Sequence, residues 1–187
     1  MAPLLCGALN LAAALVLVTA LAPGTPLVAD AAERERYVQG HVVLWRAGWS
    51  LWTAAALALV WFYAWWRARV RGPRAAPAIA AFGFVVDASA EMLLIVRGPD
   101  AYAEVAPLAF FLTGAIANGL YTVAGALLTV ATALRTPERA WAWTMWGAGA
   151  LLTLGAVAAL PVVTAAATAV LFALFVPWCA YLAWRLG

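Results

Sequence analysis

Two acids stand inside an otherwise apolar run. Residues 78–96 read AIAAFGFVVDASAEMLLIV and carry Asp87 and Glu91. Acids four residues apart share a helix face. Such a pair serves acid–base chemistry, recognition of a small or amphiphilic ligand, or structural ion pairing. A carboxylate at the centre of a spanning helix adds roughly 2.5–3.5 kcal/mol to insertion. The two acids therefore need partners, a proton or water.

Arg46 is the cation predicted to pair with Glu91. At 1.5 Å per residue, Glu91 lies about 9 Å in from Arg97, and Arg46 about 8 Å in from His41, in consecutive antiparallel runs. The competing arrangement for Arg46 is snorkelling along its aliphatic stem. Asp87 is deeper, about 15 Å in, with no cation at its level. It is expected to be protonated or to sit beside water. Asn118, about 16 Å beyond Pro107, is its expected hydrogen-bond partner. Asn118 heads a polar stripe with Thr122, Gly125, Thr129 and Thr132, flanked by Tyr121 and Gly114. Threonines close on their own backbone four residues back, and an amide does not close that way in full.

Trp45, Trp49 and Trp52 share one helix face. They read as packing or lipid anchoring, or as an aromatic wall for an apolar ligand. His41 lies at the outer mouth of that helix. It is either a surface residue or an acid–base or metal-binding group with Glu104 or Asp100.

The rest of the chain must position these residues in a bilayer. Of 187 residues, 67% are hydrophobic and 10% charged, against about 45–50% and 25% in soluble domains. All 11 basic residues are arginine, which excludes a retinal Schiff base and lysine-based covalent chemistry. A single histidine excludes a haem held by two histidines of this chain. Cys6 and Cys179 form no metal-binding spacing. No cofactor, metal or nucleic-acid partner is expected.

Six apolar runs are predicted as membrane-spanning helices, at about 4–22, 41–66, 76–96, 105–134, 140–160 and 162–184. Residues 20–22 imitate a signal cleavage site, but no positive segment precedes them, so the first run is read as a retained span. The loop at 23–40 is polar, with a short interfacial helical turn near Glu33, Glu35 and Arg36. Arg67, Arg69, Arg71, Arg74, Arg135, Arg139 and Arg185 fall on one side. The other side holds Arg34, Arg36 and Arg97 among five acids. This bias puts both termini in the cytoplasm. The fold class is all-α: one compact six-helix transmembrane bundle, with small residues allowing close helix approach.

The run Asp30…Tyr37-Val38-Gln39-Gly40-His41…Trp45-Arg46-Ala47-Gly48-Trp49, with the long span ending near Tyr63, resembles an uncharacterised bacterial family of six-span membrane proteins of unknown function. The likeness covers about the first third of the chain. It implies a similar size and span count and no activity.

The expected location is the bacterial inner membrane, multi-pass, among lipids. The expected function is binding of a small or amphiphilic ligand in an outward-facing polar pocket built from Arg46, Asp87, Glu91, Asn118, Trp45, Trp49, Tyr121 and His41, with carriage as an extension. Two alternatives stay open: a lipid-modifying enzyme using the acid pair, and a subunit of a homo-oligomer or larger membrane complex.

Overall fold

The computed structural model describes residues 1–187. Every element is helical: α1 Ala2–Gly24, α2 Ala31–Gly40, α3 Val42–Val70, α4 Ala75–Val96, α5 Gly98–Ala131, α6 Thr136–Val157 and α7 Pro161–Leu186. Five of them, α1, α3, α4, α5 and α7, are long and apolar enough to cross a bilayer. The helix α6 is as long as α4, at 22 residues, but its tryptophans and glycines make it less apolar. This is a membrane protein built as a helical bundle.

Local chemistry sets the boundaries. The Asp30 carboxylate accepts from Ala32 N–H at 2.9 Å and starts α2, capping an otherwise orphaned donor. The expected interfacial turn is thus a full ten-residue helix. Arg71 takes a left-handed conformation (φ 52°) and ends α3 ahead of Gly72-Pro73. Thr132 is extended, so α5 stops at Ala131, short of the predicted 134. The Glu138 carboxylate accepts from Arg135 N–H at 2.7 Å and opens α6. A second left-handed residue, Ala159, turns the chain into α7, where Pro161 suits the first helical turn.

The long helices close a ring in the order α1, α3, α4, α5, α6, α7 and back to α1, with α3 also touching α5 through the middle. Two apolar clusters fill it. The larger, with Phe62, Tyr63, Trp66, Tyr121, Trp146 and Trp178, occupies the arginine-rich half. The smaller, with Leu21, Val38, Trp45, Trp49, Leu94 and Tyr102, occupies the other half, under α2. Cross-links hold that second half. Trp45 Nε1 donates to Leu94 O at 2.9 Å, and the Tyr102 hydroxyl donates to Gly24 O at 2.5 Å. Gly24 lies so close to the Trp45 ring that a Cβ there would stand 2.5 Å from it.

Backbone regularity fails at three places inside long helices, one of them a kink at Ala101 of α5 (φ −144°, ψ 43°). Residues 17–21 of α1 and 112–117 of α5 are π-helical. A π-turn inserts one extra residue and frequently marks a functional position.

Candidate functional site

The buried stripe of α4 is Ala76, Ala80, Gly83, Asp87, Ala90, Glu91 and Leu94. Its three- and four-residue steps follow the helical period, and both acids fall on it. Asp87 is 5% exposed and Glu91 0%. The carboxyls therefore point into the bundle and not at lipid tails. They sit where the two apolar clusters meet. Asp87 touches Tyr121 of the first, and Glu91 follows Ala90 of the second.

Each carboxyl is half satisfied. The Thr53 hydroxyl lies 2.5 Å from Glu91 Oε2 and 3.1 Å from Trp49 O. A hydroxyl has one proton, so both contacts close together only when Glu91 donates to Thr53 and Thr53 donates to Trp49 O. The Tyr121 hydroxyl donates to Asp87 Oδ2 at 3.2 Å. Tyr121 is aimed by its surroundings. Its carbonyl accepts from the Tyr63 hydroxyl at 3.0 Å. Its ring lies over Gly83, where a Cβ would stand 3.1 Å from it. Asp87 Oδ1 and Glu91 Oε1 are buried and close no hydrogen bond. The Thr113 hydroxyl lies beside Asp87 and is also unpartnered. Thr113 belongs to the π-helical stretch of α5, which packs directly on α4.

No cation of the chain reaches this pair. The predicted Arg46–Glu91 pair does not form. Arg46 is exposed, and its Nε donates to Ile95 O at 3.0 Å. Ile95 is in the last turn of α4, where carbonyls lack helical partners. The long stem of Arg46 reaches that end and keeps the charge near water. The chain's one ion pair joins Arg185 to Glu138 at the arginine-rich end.

Asn118 does not meet Asp87. Its amide donates to Gly149 O at 2.8 Å and to Thr153 Oγ1 at 2.9 Å, both on α6. Tyr121, three residues on, faces α4 and takes the role expected of Asn118. The polar stripe of α5 is a seam with its neighbours. Trp146 Nε1 donates to Thr129 Oγ1 at 2.7 Å, and Trp66 Nε1 donates to Thr132 Oγ1 at 3.0 Å.

Trp45 and Trp49 are packed against each other, against Tyr102 and against Phe110. This is the packing reading of the tryptophan ladder. The indole N–H groups of Trp49 and Trp52 are nonetheless buried without acceptors. His41 is exposed, stacks on Tyr37 with ring centroids 4.3 Å apart, and places Nδ1 2.9 Å from Tyr37 O. No three His, Cys, Asp or Glu side chains converge as a metal site.

Of the residues singled out in the sequence, the structure brings Asp87, Glu91 and Tyr121 together, with Trp49 one turn from Thr53 on α3. Arg46, Asn118 and His41 lie elsewhere. Thr53 and Thr113 complete the site. Thr53 shares a helix face with Arg46, two turns deeper, which was the available signal. Thr113 carried none, because a π-turn shifts the face that periodicity assigns.

No protein-family model matches the sequence, and no curated protein or solved structure is significantly similar to it.

Proposed function

We propose that this chain crosses the membrane six times, α6 included, and binds a small, positively charged amphiphile at Asp87 and Glu91. The observation that carries this reading is the pair of partnerless oxygens, Asp87 Oδ1 and Glu91 Oε1, in a site that no arginine of the chain enters. Carboxyls inside a membrane bundle are costly and are retained for function. A basic head group supplies donors to both bare oxygens and a counter-charge for Asp87. The aromatic rings nearby suit the ligand's apolar part, and cations favour ring faces. Bending at the π-turn of α5 offers a way for the ligand to reach buried oxygens, and the same motion would serve carriage across the bilayer.

Two observations support a cytoplasmic arginine-rich end. Arg69 Nη1 donates to Leu186 O at 2.5 Å, and Arg185 Nη2 donates to Ala133 O at 2.5 Å. These bonds gather the loops after α3 and α5 and the end of α7 on one side. The positive-inside rule then assigns that side to the cytoplasm.

The test is mass spectrometry of small molecules that co-purify with the full chain. A retained amine is expected in the parent and is expected to be lost from Asp87→Asn and from Glu91→Gln. Retention of the same amine by both variants would refute the site.

A further inference from the structure

The surroundings of the acid pair fix how many protons it holds. The helix α4 packs on α3 and α5, and the charged and titratable groups of all three are engaged elsewhere or lie in water. On α3, Arg46 turns outward to Ile95 O, the Tyr63 hydroxyl donates to Tyr121 O, and Arg67 and Arg69 bond Gly72 O and Leu186 O at the arginine-rich end. On α5, the Tyr121 hydroxyl faces Asp87, the Tyr102 hydroxyl donates to Gly24 O, and Asp100 and Glu104 are exposed. At the ends of α4, Arg74 and Arg97 are exposed. A buried carboxylate without a counter-charge takes a proton instead. Two ionised carboxylates one turn apart would also repel. Without a cation, both acids are therefore neutral.

The two protons are held differently. Glu91 donates its own through Oε2 to Thr53, and Thr53 donates in turn to Trp49 O. That relay keeps Glu91 neutral and leaves Oε1 as an acceptor. Asp87 is bonded the other way round. Its Oδ2 receives the Tyr121 hydroxyl at 3.2 Å, and a donor aimed at a carboxyl favours the ionised form. Resting on the cation-binding reading above, we infer that the site is an exchanger, taking up one organic ammonium ion and releasing one proton from Asp87. The Asp87 O–H bond breaks, the proton passes to water, and Glu91 keeps its own. The buried site then carries the same net charge before and after, and no bare charge is left in either state. Alternate exposure of such a site to the two sides of a bilayer carries a cation one way and a proton the other.

The test adds octylammonium to the full chain in weakly buffered neutral detergent. A pH indicator counts protons while bound ligand is counted in parallel, with Asp87→Asn plus Glu91→Gln as the blank. About one proton per bound octylammonium is expected at mildly acidic pH. Affinity is expected to rise about tenfold per pH unit there, as linkage to one proton requires, and to level off once the acid is ionised without ligand. Tyr121→Phe removes the donor to Asp87 and keeps both the ring and the carbonyl that Tyr63 uses. It is expected to weaken binding about tenfold at acidic pH, with the deficit closing as pH rises. Bound octylammonium without proton release, at an affinity independent of pH, would overturn the exchange and leave the cation site standing. A Tyr121→Phe profile that overlays the parent's would overturn the assignment of the proton to Asp87. Absence of saturable binding would remove the cation site itself, and the exchange with it.

Discussion

The polar residues of α5 and those of α4 look alike on paper and end in opposite states. On α5 and at its end, Asn118 reaches two acceptors on α6, and Thr129 and the capping Thr132 accept indole N–H groups from Trp146 and Trp66. On α4, Asp87 and Glu91 each bond through one oxygen and leave the other bare. The first arrangement joins helices. The second is held in place by packing around it and stays available. Inside a membrane, polarity in the sequence marks a buried position, and only the partner count separates a seam from a site.

The comparison breaks most readily at the seam. Gly125 lies directly under the Trp146 ring, with no space for a side chain. Gly125→Leu is expected to cost about 2–3 kcal/mol by overpacking, read as a lower thermal midpoint in detergent. Asn118→Leu removes both bonds to α6 and is expected to cost about 0.6–1.7 kcal/mol, the range for interhelical hydrogen bonds in membranes. If neither change lowers stability, the seam is not structural.

Glu138 provides a contrasting acid with its partners in place. The Tyr181 hydroxyl, the Arg135 backbone N–H and the Arg185 guanidinium hold its carboxyl below the usual glutamate range. Its stabilisation is therefore present above the unfolded-state pKa and is lost as pH falls through the lower folded value. Thermal midpoints measured across the acid range are expected to drop there, and Glu138→Gln is expected to flatten that limb. An unchanged limb would show that the pair contributes nothing.

Arg46→Met is expected to move stability by less than about 0.5 kcal/mol, as for an exposed substitution, and to leave ligand retention intact. Loss of the ligand in that variant would bring Arg46 back into the site. The smallest stability effect is expected where the functional effect is largest. Asp87→Asn with Glu91→Gln removes no ion pair, and it keeps an acceptor for the Tyr121 hydroxyl and, in the Gln amide N–H, a donor for Thr53. Its stability is expected to equal that of the parent or to exceed it. A drop comparable to that of Asn118→Leu would make the acid pair a lock and erase the contrast with α5.

Much of the fold was legible from hydropathy, glycine–proline turns and arginine spacing. The inward aim of Asp87 and Glu91 was legible too, since their four-residue spacing puts both on the same helical stripe as Ala80 and Gly83. Their partners were not. Depth counted from helix ends placed Arg46 and Glu91 at one level, but a long arginine stem can choose between a buried acid and a free terminal carbonyl, and it chose Ile95 O. Asn118 and Tyr121 lie within one turn of each other. Which of them faces α4 depends on the rotation of α5, and the π-turn at 112–117 resets that rotation. No periodic pattern carries the offset.

The most direct test is equilibrium binding of octylammonium and of octanoate to the full chain in a neutral detergent. The two probes match in chain length and differ in charge. Saturable uptake of about one octylammonium per chain is expected, with none of octanoate and with octylammonium binding abolished by Asp87→Asn with Glu91→Gln. Equal uptake of the two probes, or octylammonium binding that survives loss of both acids, would contradict the account.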